Sequence, residues 1–228
     1  MVITDIKSYA KDRSRLSIYI DGEFSFVLYK GELSQYKLNC GDQISEELYD
    51  TIIREVLTPR AKKRGMNLLM TQDRTKADVY SKLTEGGYPK EVVEEAISYL
   101  ESFHYIDDER YVRNYIYYKS ASMSRKQIYM KLMLKGVSPE LIELMFAERD
   151  QQNAIEEEQN NTDTLDRGVC SEGIAFNDEL RLIEKLMLKK SKGILKELNY
   201  NEKQKLFAYL YNKGFSINDI EKVYNYLT

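Results

Sequence analysis

The side chains best placed to do chemistry are Asp107-Asp108-Glu109, three consecutive carboxylates whose hard oxygens could hold a divalent cation. They also stand directly before Arg110-Tyr111-Val112, where a helix is expected to start. There, acidic side chains accept orphan amides of the first turn and oppose the positive end of the helix dipole. The capping role is the favoured one. His104 is the sole histidine, flanked by Phe103 and Tyr105. A general base needs an orienting partner, and no Ser-His-Asp or Cys-His grouping has obvious support, so His104 reads as a packing or surface residue. Gly86-Gly87 lacks the lysine and the serine or threonine of a phosphate-cradling loop. Cys40 and Cys170 fit neither a disulfide framework nor a zinc motif and are expected to be reduced thiols. No catalytic residue, metal site or cofactor is assigned, and the chain is expected not to be an enzyme.

Groups able to meet a partner are more numerous. Arg60, Lys62, Lys63 and Arg64 fall together, Arg125 and Lys126 open a helix, and Lys185, Lys189, Lys192 and Lys196 recur at helical spacing. Such cations contact phosphates or acidic protein patches, although an ordinary solvated face has the same composition. Tyrosine is abundant, with 19 residues, and Tyr115, Tyr117 and Tyr118 cluster near Arg113 and Lys119. Aromatics beside cations stack on bases and are favoured at protein interfaces.

The elements that would carry these groups change character along the chain. Residues 16–20 and 24–28 are β-branched and aromatic and flank Asp21-Gly22, a dipeptide suited to a type I′ hairpin turn. Residues 2–9 could supply a third strand, since a lone hairpin is marginal in water. From Ser45 onward the pattern is helical. One helix ending recurs three times: Leu83 to Gly87-Tyr88, Leu132 to Gly136-Val137, and Leu210 to Gly214-Phe215. Glycine suits the left-handed residue that ends a helix, and the apolar residue after it can fold back onto that helix. Apolar residues keep fixed offsets around each glycine: Val79, Ile128 and Leu206 before it, then Val93, Ile142 and Ile220, then Ala96, Met145 and Val223 after it. Gly87 and Gly136 are 49 residues apart, Gly136 and Gly214 are 78 apart, and the excess of 29 matches an acidic, polar stretch over 151–177.

The pattern predicts a mainly α protein of tandem three-helix repeats forming an extended, curved array, preceded by a β-hairpin or three-stranded element. The expected divisions are a β segment over 1–44, a linker helix and first repeat over 45–105, a second repeat over 106–150, a flexible acidic insertion over 151–177, and a third repeat over 178–228. Helices are expected near 59–72, 75–85 and 89–103, near 107–119, 125–135 and 139–148, and near 178–192, 202–213 and 217–227. Ser138 and Ser216 are placed to cap, and Pro89 and Pro139 to occupy a first turn.

Composition sets outer limits. With 43% hydrophobic and 31% charged residues among 228, the chain can bury a core. A formal net charge of −3 argues against a body that is basic all over, though not against a local basic face. The N-terminus lacks the apolar run of a signal peptide, and no stretch of about 20 apolar residues occurs, so a cytoplasmic protein without membrane insertion is expected. The residues alone describe a helical repeat binding protein.

Three stretches carry a resemblance to a known family. Tyr105-Ile106-Asp107-Asp108-Glu109-Arg110-Tyr111, the run from Ile128 to Lys135-Gly136-Val137, and the run from Lys205 to Lys213-Gly214-Phe215-Ser216 resemble, in order, the repeat junction and the second and third repeat endings of the RecX family. The likeness covers the repeats from about Arg60 to Leu227, and the N-terminal β segment is similar to that of longer members. The resemblance implies a non-enzymatic negative modulator of the RecA recombinase. Such a protein would bind the groove of the RecA–DNA filament, lower ATP hydrolysis and strand exchange, and promote filament loss in homologous recombination, DNA repair and the SOS response. It implies no cofactor, a RecA filament as partner with weak contact to single- or double-stranded DNA, and a monomer. The alternative is a helical repeat module that binds single-stranded nucleic acid directly. The matched family motifs are mostly cap and core positions, so contact residues are not carried over; Gly87, Gly136, Gly214, Phe215, Asp107 and Asp108 are the repeat-defining structural residues. From the chain's own charges, Arg113, Lys119, Arg125 and Lys126 are the candidate partner-binding residues.

Overall fold

The computed structural model describes residues 1–9, 12–164 and 178–228. They divide into two compact units, Met1–Asp108 and Glu109–Thr228.

The first unit opens with an antiparallel sheet of β1 (Ile3–Tyr9), β2 (Asp12–Ile20) and β3 (Glu23–Tyr29), in that order. Asp21 and Gly22 join β2 to β3 with φ of 50° and 91°, the paired positive values that a type I′ turn requires. Pleat alternation sends Ile18, Ile20, Phe26 and Leu28 into the core. Val27, on the other face of β3, is only 1% exposed. It is covered by Gly87, where an added Cβ would stand 2.4 Å from Val27 Cγ2.

After the short helix α1 (Lys30–Gln35), helix α2 (Glu46–Thr51) starts at Ser45, whose hydroxyl accepts from the Leu48 amide. It continues through a π-helical turn, Ile52–Leu57, into α3 (Thr58–Thr71). The first repeat helix therefore does not begin at Pro59, as the sequence suggests. Proline has no N–H to return to the carbonyl four residues back, and the helix widens just before it, with the Thr58 amide reaching the Ile53 carbonyl. Helices α4 (Lys76–Thr84) and α5 (Lys90–Ser102) complete the first three-helix repeat. Pro89 sits at the N-cap of α5 rather than in its first turn. Sheet and repeat share one core, in which Phe26 and Leu28 join Ile52, Leu57, Leu83, Val93 and Leu100.

Helix α6 (Asp108–Ser120) leads into the second unit, with α7 (Arg125–Leu134) and α8 (Pro139–Thr164), then α9 (Asp178–Ser191), α10 (Tyr200–Asn212) and α11 (Ile217–Leu227). Two separate cores form. One gathers Val112, Ile116, Ile128, Leu132, Ile142 and Met145, the other Ile183, Met187, Leu206, Leu210, Ile220 and Val223. The residues at matching offsets in the three repeats are all buried. In the second and third repeats the ending closes with the same bond: the Val137 amide donates to the Leu132 carbonyl at 3.2 Å, and the Phe215 amide to the Leu210 carbonyl at 3.4 Å.

Helix α8 runs well past the end near Glu148 that the sequence suggests, because the stretch that follows holds good helix formers such as Gln151, Gln152 and Ala154 and no glycine or proline. Residues 151–164 of the predicted acidic insertion continue this helix, and the rest of it, with Cys170, lies outside the described residues. Cys40 is an exposed free thiol. No helix among the described residues is long and apolar enough to cross a membrane.

Candidate interaction surfaces

The four cations singled out from sequence lie on α6 and α7 but have different surroundings. Arg113 pairs with Glu148 at 3.2 Å. Arg125 is held more firmly, with Asp150 at 2.7 Å, Glu143 at 3.4 Å and its guanidinium 4.3 Å above the Phe146 ring. Lys119 and Lys126 have no side-chain partner among the described residues, and Lys126 is exposed. Arg113 and Arg125 line different clefts, and neither lysine lines either one.

A more coherent surface stands beside them. Tyr115 is half-buried and stacked on Tyr111, and burial pushes its hydroxyl pKa up. Tyr117 and Tyr118 are 58% and 71% exposed, with their rings edge to face at 5.2 Å. They form one wall of a groove of about 490 Å³ whose other wall is α9, through Arg181, Leu182 and Lys185. Arg149 of α8 closes the end, its guanidinium 5.1 Å from the Tyr117 ring centre and paired with Asp178 at 3.2 Å. Along α9 and beyond, Lys185, Lys189, Lys192 and Lys196 are all exposed. The tyrosine cluster and the lysine series, noticed separately in sequence, thus meet in one groove through Lys185.

The repeat-defining residues build the joint between repeats. Ser124, fully buried, caps α7 by accepting from the Gln127 amide and donates to the carbonyl of Lys213 at 2.6 Å. Gly214 has φ of 90°, and a Cβ there would stand 2.9 Å from Ser124 Oγ, so glycine is needed for closeness as well as conformation. Phe215, 2% exposed, packs in the third core. Gly136 takes φ of 76° at the end of α7.

The acidic cluster acts partly across repeats. Asp107 is half-buried immediately before α6. Asp108, the first residue of α6, reaches another helix: Oδ1 accepts from the Lys76 amide at 2.8 Å, the first amide of α4. Glu179 does the same one repeat later, accepting from the Arg125 amide of α7 at 3.2 Å. Burial raises the pKa of both carboxyls, opposed by these amide bonds. Sequence reasoning missed this joint, although a signal existed: Thr75 and Ser124, the caps of α4 and α7, repeat the 49-residue spacing of the glycines.

His104 is exposed and holds φ of 56°, ending α5 as glycine ends α4, α7 and α10, with the Tyr105 amide returning to the Leu100 carbonyl at 2.9 Å. Among the described residues no group of three or more His, Cys, Asp or Glu side chains is placed to hold a metal ion.

Four sequence-family models match this chain: the RecX N-terminal domain over residues 1–45, and the first, second and third three-helix domains of RecX over 61–100, 107–144 and 177–224. The chain is 27% identical to the regulatory protein RecX of Caldanaerobacter subterraneus subsp. tengcongensis over 99% of both chains. It is 24% identical to that of Clostridium tetani, over 99% of this chain and 94% of the other. Among solved structures, a crystal structure of regulatory protein RecX superposes with a TM-score of 0.59 at 23% identity, covering 98% of both chains. RecX from Lactobacillus salivarius does so with a TM-score of 0.58 at 19% identity, over 75% of this chain and 96% of that one. With an N-terminal sheet followed by three three-helix domains in matching order, the chain belongs to the RecX family of regulatory proteins.

Proposed function

We propose that this chain is a non-enzymatic negative modulator of the RecA recombinase, which binds the RecA–DNA filament as a monomer in the cytoplasm, lowers ATP hydrolysis and strand exchange, and promotes filament loss. Membership of a regulatory-protein family supports the class of activity. The observation that carries the reading is the groove of the second unit, where the exposed Tyr117 and Tyr118 face Arg181 and Lys185. Amphipathic rings beside cations are what a protein hot spot requires, because each ring buries much area while freezing few torsions. Of the four sequence-derived cations, Lys119 and Lys126 are retained as contacts. Arg113 and Arg125 would have to surrender intramolecular carboxylates to bind, which lowers their net contribution. A filament repeats the same partner surface, so a chain touching neighbouring protomers gains by multivalency, and preference for one filament state shifts the filament toward it.

The test is ATP hydrolysis by the cognate RecA on single-stranded DNA with this protein titrated in. Suppression at substoichiometric protein is expected. Tyr117→Ala with Tyr118→Ala is expected to raise the half-effective concentration at least about tenfold, as loss of hot-spot aromatics does, with helical circular dichroism unchanged. Suppression that survives the double substitution removes the groove as the contact, and no suppression at stoichiometric excess removes the RecA assignment.

A further inference from the structure

The first unit contains a second basic site, bordered by Gly86 and Tyr88 of the first repeat ending. Helix α3 presents Arg60, Lys63, Arg64 and Asn67 at helical i, i+3, i+4 and i+7 spacing toward a cleft of about 430 Å³ shared with Arg15 of β2 and Lys82 of α4. Tyr9, Tyr29 and Tyr88 also line it, together with Asp12, Glu85 and Gly86. Two guanidiniums approach the Tyr29 ring, Arg60 at 4.9 Å and Arg15 at 5.8 Å from its centre, and Arg15 also covers the Tyr9 ring at 4.7 Å.

The charge balance is what distinguishes the cleft. Arg60 is neutralised by both oxygens of Glu32, at 2.6 and 2.7 Å. Lys82 has Glu85 at 3.6 Å, and Asp12 is occupied by the Ser14 hydroxyl and amide, which hold its pKa down. Arg15 forms no ion pair among the described residues, although its charge acts on nearby Asp12: it donates to the Gly86 carbonyl, and its Nε is buried without a hydrogen-bond partner. Lys63 and Arg64 are exposed and have no partner among the described residues. Three cations outside any ion pair among the described residues therefore border a cavity in a chain whose formal net charge is −3, and two of the cleft's arginines are oriented by ring stacking before any ligand arrives.

We propose that this cleft binds the phosphate group of a nucleotide, with Arg64, Lys63 and Arg15 as the charge-bearing contacts. Guanidiniums fixed by stacking and carbonyl bonds suit a tetrahedral, multiply accepting oxyanion. The cavity falls within the size range of small-ligand sites and exceeds what a bare ion needs, and its tyrosine edges offer a surface to the attached nucleoside. An acidic peptide would use the same charges but has less use for that aromatic wall. The proposal does not rest on the RecA assignment, since its test contains no recombinase.

The test measures binding of the full chain to a labelled oligothymidylate of about 12 nucleotides, within the usual span of a single-strand site, by fluorescence anisotropy across a salt series. Lys63→Glu with Arg64→Glu is expected to weaken binding at least tenfold and to flatten the log–log salt slope by about 1.4, roughly 0.7 for each lost contact. Lys131→Glu with Lys222→Glu, a change of equal charge at exposed positions of the second unit, is expected to leave binding within about twofold. Competition by thymidine monophosphate or inorganic phosphate identifies the source as a single phosphate, and competition only by unlabelled strand identifies it as a phosphodiester in a chain. Either supports the site. It is overturned by absence of binding, by equal losses in the two charge variants, or by polyglutamate competing as well as the oligonucleotide.

Discussion

The two units cover the same kind of repeat in different ways. In Met1–Asp108 the three helices α3, α4 and α5 bury their apolar face under a β-sheet, and one continuous core results. In Glu109–Thr228 two repeats keep separate cores and are joined by polar contacts: the Ser124 hydroxyl on the Lys213 carbonyl and the Glu179 carboxylate on the Arg125 amide. A three-helix unit is too small to hide its own apolar stripe, so something must cover it. The sheet does so by burial, which depends on area and shape. The repeat joint does so through a few buried hydrogen bonds, which depend on direction and are costly when one partner is lost.

The comparison is tested most sharply at its glycines. Gly87→Ala combines a left-handed backbone, φ of 82°, with a Cβ driven into Val27 of the sheet. The expected cost is about 3 kcal/mol, roughly one from conformation and two from overpacking. Gly214→Ala has the same backbone penalty but meets a hydroxyl at 2.9 Å rather than a packed core, so about 2 kcal/mol is expected. Hydrogen exchange read by mass spectrometry should localise the first loss to residues 1–108 and the second to 109–228. Loss spread evenly over both units in either variant would remove the distinction between the two kinds of cover.

Ser124→Ala isolates the polar joint. Its hydroxyl is fully buried, accepts from Gln127 and donates to Lys213, so its removal leaves an orphan amide and an orphan carbonyl. About 1–2 kcal/mol is expected, seen as a lower urea midpoint with faster exchange at both α7 and the end of α10. A loss confined to α7 would mean that Ser124 is an ordinary cap and that the bond to Lys213 contributes nothing to the joint.

Much of this architecture was legible because it depends on local rules. The hairpin followed from Asp21-Gly22 between β-branched runs, and the helix endings from a leucine, a glycine and an apolar residue at constant offsets. Those rules involve neighbours along the chain, so sequence carries them. What escaped depends on how the elements are joined and packed. The π-helical turn before Pro59 exists because α2 and α3 are one rod. His104 accepts a left-handed conformation because the bond from Tyr105 to Leu100 requires it. Asp108 reads as a local cap until α4 is brought beside it. At the surfaces the same division holds: residue types identified tyrosines and cations as binding groups, but only the groove lined by α6 and α9 selected Tyr117, Tyr118 and Lys185 from among them.

The smallest expected effect compares the two carboxylates that cap across repeats. Burial raises the pKa of Asp108 above 3.8 and that of Glu179 above 4.5, with Glu101 and Asp107 adding to the first and Asp219 and Asp150 to the second, against Lys76 and Arg125. The folded state thus binds these protons more tightly than the unfolded chain. The cost of burying the two charges is fully present above the raised values and disappears as pH falls through them to the ordinary ones. Asp108→Asn and Glu179→Gln keep an acceptor oxygen while removing that cost. Each variant should equal or exceed the parent in stability at neutral pH, and its advantage should shrink as pH falls toward 4, near the ordinary carboxyl range. Urea unfolding at several pH values measures this. A variant destabilised at neutral pH, with a deficit that closes on acidification, would mean that the ionised carboxylate stabilises the repeat joint and that the amide bond outweighs desolvation.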